Sequence, residues 1–229
     1  MTPVPRESKS PTRPADAVVC ALAVPAGLAL GVVALVADTV PGQLGSILSV
    51  AASTGVAWGV GAGILGAACQ RLLTAACAGA LIMVLAVLTY YGGNAVVHIR
   101  PSAGGGYLVD KTGFWAMVAV VAGPAAGALG WRITHGTALA KSLAAGVLGG
   151  LVVVQGLYAW SPTRSYMFGG DATARVWISL LLIAAPLGGA LWVSRGLRPA
   201  AAFGSLVCTS AIGFFLWSTA QSLHLLRSW

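Results

Sequence analysis

The densest chemistry in the chain lies in the run TYYGGNAVVHIRPS, from Thr89 to Ser102. Two phenols (Tyr90, Tyr91), an amide (Asn94), an imidazole (His98) and a guanidinium (Arg100) follow one another there, facing Asp110 and Lys111 across a Gly-rich turn. Such a set could hold an anionic or sugar-like headgroup through neutral and charge-assisted hydrogen bonds, with Trp115 supplying an aromatic wall. The same charges equally suit a wet loop that does no more than set membrane topology. Gln155 is the other polar group of interest, since its amide brings four hydrogen-bonding sites into a run of Gly, Leu, Val and Tyr.

Catalytic constellations are not visible. There is no GxSxG, HExxH, Walker loop or paired acidic motif, so no nucleophile and base announce themselves. His98, His135 and His224 fall in different connections or ends, which gives no metal-ligand spacing and no reason to expect a cofactor. The four cysteines, at 20, 69, 77 and 208, form no CxxC pair and read as buried, inert thiols inside or at the edge of apolar runs. Predicted helix centres carry no ionisable group, where a charge costs about 2.5–3.5 kcal/mol and is kept mainly for function. That argues against proton or sodium antiport through a buried carboxylate.

The elements that must position these residues follow from composition. Of 229 residues, 58% are hydrophobic and only 8% charged, against roughly 45–50% and about 25% in soluble domains. A water-soluble globule of this size would need a charged skin that these residues cannot supply. Hydrocarbon must therefore be the solvent for most of the surface. The net charge of +8 comes from cations scattered singly between apolar runs, a spacing that suits membrane topology and anionic headgroups rather than nucleic acid.

A helix needs about 20 residues to cross a hydrocarbon core of roughly 30 Å. Stretches free of Asp, Glu, Lys and Arg run over 17–37, 39–70, 72–99, 112–131, 142–163, 176–194 and 199–226. A barrel is excluded, because it would show alternating segments of about ten residues. The second stretch is overlong and has Pro41 and Gly42 near its start, so part of 43–49 is expected as an interfacial lead-in and the helix at about 50–69. The fold class expected is an all-α polytopic transmembrane bundle of about seven helices, one helix plus three hairpins. Residues 1–16, Pro-rich and polar, are expected as a disordered cytoplasmic tail, and 17–229 as a single transmembrane domain. Long connections are expected at about 93–111 and 161–175.

With the N-terminus inside, the inner cations are Arg6, Lys9, Arg13, Arg71, Arg132, Lys141, Arg195 and Arg198, eight in all. The outer five are Arg100, Lys111, Arg164, Arg175 and Arg227, so the bias favours a cytoplasmic N-terminus. Aromatic residues gather near predicted helix ends, as headgroup belts do. Trp58 with Arg71, Trp115 with Arg132 and Trp177 with Arg195 form a weak repeat, in which Pro124 and Pro186 each follow their tryptophan by nine residues. Hairpin duplication would produce it, and in transporters sites often lie where repeats meet. Gly55, Gly59 and Gly63, and likewise Gly123 and Gly127, recur every fourth residue and line one helix face, as small residues do at membrane helix contacts.

PAGLALGVVALV, SVAASTGVAWGVGAGILGA, TYYGG, FWAMVAVVAGPAAGALG and GGLVVVQGLYAW together resemble an actinobacterial family of small polytopic membrane proteins of unknown function, over the first two thirds of the chain. The resemblance implies a membrane location and a hairpin-built helical bundle, and no catalytic residue. The expectation is therefore a non-enzymatic protein of the bacterial plasma membrane, multi-pass, acting as a small-solute or lipid permease or as an accessory membrane subunit. Candidate ligand-binding residues are Tyr90, Tyr91, Asn94, Arg100, Trp115 and Gln155. Candidate helix-packing residues are Gly55, Gly59, Gly63, Gly123 and Gly127. No metal or cofactor is expected. Partners expected are the lipid bilayer, a lipid or small solute, and a membrane-protein partner or second copy, with no nucleic acid. The alternatives are a scaffold that packs through the Gly55–Gly63 ridge, and a lipid-headgroup enzyme at the outer loop.

Overall fold

A computed structural model describes residues 16–52, 55–97, 105–160, 172–193, 195 and 198–222. Among them the chain is entirely helical: α1 (Asp16–Ala37), α2 (Gly42–Ala52), α3 (Gly55–Ala68), α4 (Leu72–Val97), α5 (Gly105–His135), α6 (Ala138–Trp160), α7 (Ala172–Val193) and α8 (Pro199–Ser222). Helices α1, α4, α5, α6 and α8 contain stretches long and apolar enough to cross a membrane, the mark of a membrane protein. The described apolar parts of α3 and α7, Gly55–Ala68 and Val176–Ala190, are shorter.

Eight described helices replace the expected seven, because the second apolar stretch is built as two. The expected lead-in at 43–49 is helical and belongs to α2, and the helix expected at 50–69 is divided between α2 and α3. The last carbonyls of a helix have no partner within it. At the C-terminal end of α2 the Trp58 indole fills that need, donating from Nε1 to the Ala52 carbonyl at 3.0 Å. The long connection expected over 93–111 is also shortened: α4 continues through Tyr90, Gly93 and Asn94 to Val97, and α5 starts at Gly105. The adjacent Gly92 and Gly93 do not end α4, which runs on through them. Asp16 opens α1, and the tail expected ahead of it lies outside the described residues.

The helices fall into two groups. In the first, α1, α3 and α5 all pack on α4. In the second, α7 and α8 each pack on α6 and scarcely meet one another, so the last pair does not form the close hairpin expected. Packing of α6 on α5 and α3 joins the groups midway, with Leu148 seated against the cluster of Trp58, Ala62, Ile82, Met83 and Ala126.

With lipid outside, helices gain little by hiding apolar side chains from each other, and close backbone approach supplies the attraction instead. Gly79 on α4 and Gly123 and Gly127 on α5 face one another so closely that a Cβ on any of them would strike backbone atoms of the opposite helix. On α6, Gly146 and Gly150 lie against α8 and Gly156 against α7. Serines reinforce that seam: Ser205 Oγ donates to the Leu143 carbonyl at 3.2 Å and Ser210 Oγ to the Gly150 carbonyl at 3.3 Å. Outward positions are apolar, including Leu73, Val121, Leu181, Trp192 and Phe215.

Candidate functional site

Each end of α1 carries an aspartate, and both reach across to other helices. At the start of α1, Asp16 Oδ1 accepts the Gln70 backbone N–H at 2.7 Å and Asp16 Oδ2 the Thr74 hydroxyl at 3.0 Å. One carboxylate thus takes up donors at the turn into α4, where helix N–H groups lack partners. The Trp131 indole donates to the Gln70 carbonyl at 3.0 Å and stacks on His135 with centroids 4.8 Å apart, so α5 is tied to the same turn. Cys69 is fully buried in this corner. Burial, helped by the Asp16 carboxylate and Cys20, pushes its thiol up to about 11.

At the other end of α1, Asp38 is half-buried and accepts two hydroxyl hydrogen bonds, from Ser49 of α2 on Oδ1 and from Tyr90 of α4 on Oδ2. The backbone delivers it there because α1 closes on tightened turns, with Thr39 N–H bonded to the Val36 carbonyl at 2.9 Å. Pro41 and Gly42 then turn the chain into α2, Gly42 at a φ of 75° that favours glycine. Tyr90 is only 6% exposed and meets Trp58 edge-on at 5.9 Å and Tyr91 edge-on at 4.9 Å. One turn further along α4 lies Asn94, 4% exposed. Its Nδ2 donates to the Tyr90 carbonyl at 3.0 Å, while Oδ1 is buried with no donor among the described residues. An unmet buried acceptor costs roughly 1–3 kcal/mol.

Of the residues singled out from the sequence, Tyr90, Tyr91, Asn94 and Trp115 are gathered at this end. Tyr91 and Trp115 pack against the cluster that contains Trp58 and Tyr90, and Asn94 is on α4 beside them. Arg100 and His98 lie outside the described residues, and so do the side chains of Asp110 and Lys111. Gln155 belongs to α6 in the second group, half-buried, its side chain without a hydrogen bond among the described residues. Gly123 and Gly127 stand in the α4 seam. Gly63 touches Leu148 and its carbonyl lies against Gly130, whereas a Cβ at Gly55 or Gly59 would meet nothing within 4 Å. Of the cysteines expected to be buried, Cys69 is and Cys20 is half-buried, but Cys77 and Cys208 are exposed on the outside of the bundle, where apolar helix positions face outward.

Sequence reasoning passed over Asp38 and Ser49, treating the aspartate as a divider between apolar stretches. A usable signal was present: Asp38 is the one acidic residue between 17 and 109. What it bonds to was not readable, because Ser49 and Tyr90 are 11 and 52 residues away. The described residues hold no group of three or more His, Cys, Asp or Glu placed to bind a metal.

No curated protein and no solved structure matches the chain. The chain belongs to a family described as "Family of unknown function (DUF6518)", whose family model matches residues 9–223.

Proposed function

We propose that this member of the family is a non-enzymatic integral protein of the bacterial, actinobacterial plasma membrane, with its N-terminus in the cytoplasm, that passes a small donor-bearing solute at the Asp38 end of the bundle. The observation that carries the reading is the Asn94 amide oxygen, a buried acceptor without a donor, one helical turn from the Tyr90 that binds Asp38. The Asp38 carboxylate, which accepts from Ser49 and Tyr90, places further acceptor oxygens of the same kind beside it. Acceptors of this kind select hydroxyls and ammonium groups, which fits a polyol or a small amine better than an anion. Division of the second span into α2 and α3 supports transport, since discontinuous helices frame substrate sites in many transporters.

Uptake of labelled ethanolamine and mannitol into proteoliposomes tests this. Transport of either probe above protein-free vesicles is expected, with a loss of roughly tenfold in Asn94→Leu, about the worth of one hydrogen bond. Equal uptake by protein-free vesicles for both probes would remove the permease reading.

A second reading, an accessory or scaffold subunit, draws on the open space around Gly55 and Gly59, which leaves room for another backbone. In that case Gly59→Leu abolishes an association seen by native mass spectrometry in detergent, and unchanged assembly refutes it.

A further inference from the structure

Helix α2 differs from its neighbours in what holds it. It is 11 residues long and packs on α1 and α3 in the first helix group and on α7 in the second. Ile47 projects from it onto Ala159 of α6 and Ile178 of α7, while Leu44 and Leu48 are exposed. α2 therefore lies across the joint between the two groups at the Asp38 end. Its polar fastenings in the first group include Ser49 Oγ to Asp38 at one flank and the Trp58 indole to the Ala52 carbonyl at its last turn. It opens on Gly42, at positive φ with nothing within 4 Å of its Cβ position.

We propose that α2 is a hinged cover over the joint between the two helix groups, turning about Gly42 and fastened shut by Ser49 on Asp38 and by Trp58 on Ala52. Swinging it away breaks contacts that include these two hydrogen bonds, the Ile47 contact and its packing on α1, yet α2 has the least packing of the described helices, and the others meet their neighbours along seams of close backbone approach. Short, weakly anchored elements are the ones that open locally while the rest of a fold stays shut. Asp38 is common to the fastening and to the solute site, because Tyr90 holds its second oxygen. A solute donor that competes for the carboxylate displaces Ser49 and so loosens the cover. The cover's role as a gate rests on the permease reading; its mechanics do not.

Hydrogen exchange on the full chain in nanodiscs tests the mechanics. In Ser49→Ala and in Trp58→Phe, which keeps an aromatic ring against Tyr90, amides of Gly42–Ala52 should exchange roughly tenfold faster, the equivalent of one hydrogen bond. Amides of α4 and α5 should not change. Thr39→Ala deletes a hydroxyl bond to Val36 at the same corner but outside the fastening, and should leave α2 exchange as it was. Unchanged α2 exchange in both fastening variants, or acceleration spread equally over α1 and α4, would overturn the cover. The gate is tested separately by joining Ile47→Cys to Ile178→Cys with a short bifunctional maleimide, the product identified by peptide mapping against the four native cysteines. Joined protein should show slowed α2 exchange and lose ethanolamine uptake. Uptake that persists in the joined protein refutes gating by α2. Absence of uptake in unmodified protein, with the exchange result intact, refutes the permease reading and leaves the cover standing.

Discussion

Gly127→Ala and Gly59→Ala make the same chemical change at two glycines that look alike in the sequence, each in a run of small residues repeating every fourth position. The surroundings reverse the outcome. At Gly127 the new methyl would overlap the Ala75 carbonyl and come to 3.3 Å from the Gly79 Cα, so α4 and α5 must separate along their closest line. These are main-chain atoms, which cannot swing aside as a flexible side chain would. Opening a packed seam by 0.5–1 Å forfeits about a quarter to a half of each contact's attraction. The cost belongs at the upper end of the overpacking range, about 3 kcal/mol. At Gly59 nothing lies within 4 Å, and replacing a mid-helix glycine by alanine gains roughly 0.5–1 kcal/mol. For a chain of this length 1 kcal/mol corresponds to about 2–4 °C. Thermal unfolding of monomeric protein in detergent should therefore fall by roughly 6–12 °C in Gly127→Ala and rise by about 1–4 °C in Gly59→Ala. Melting of Gly127→Ala at the wild-type temperature would refute the account of the seam, and so would shifts of the same sign in both variants.

Three further outcomes are expected. Tyr90→Phe keeps the edge contacts with Trp58 and Tyr91 but deletes the donor to Asp38, for a loss of roughly 1.5–3 kcal/mol that a melting curve would register; an unshifted midpoint would mean the bond contributes nothing. Cys69, with its thiol raised from an ordinary 9.0 to about 11, stays neutral in the folded chain over a range where the unfolded chain ionises. The unfolded state then holds fewer protons, so stability contributed at this site is present below about pH 9 and falls between about pH 9 and about pH 11; a Cys69→Ala variant should lack that component of the decline. On orientation, Thr39→Cys should react with an impermeant thiol reagent added to intact cells and Gln70→Cys should not, the reverse pattern overturning a cytoplasmic N-terminus.

Membrane helices were legible because hydrocarbon imposes a length and a composition, and both can be counted along the chain. The division of the second span was not, since 42–68 carries no proline or charge to mark the point where α2 gives way to α3, and the uncharged polar pair Ser53 and Thr54 reads no differently from other small polar residues in membrane helices. The fate of TYYGGN shows the same limit from the other side. Two adjacent glycines and a fading apolar run read as the end of a helix, yet Asn94 remains inside α4, with its amide donated to the Tyr90 carbonyl.

By itself, then, the sequence determined the solvent, the helical class and the residues rich enough in polar atoms to form a site, because each depends on local composition. Tertiary structure decided which of them meet. Asp38 finds Tyr90 and Ser49, and Gly127 finds Ala75 while Gly59 finds open space, through contacts between helices distant in the chain. Where lipid lies outside the bundle, outward positions are as apolar as inward ones, and apolar periodicity no longer distinguishes the two faces. Partner choice is left to close packing and to a few hydrogen bonds, and those exist only once the helices have come together.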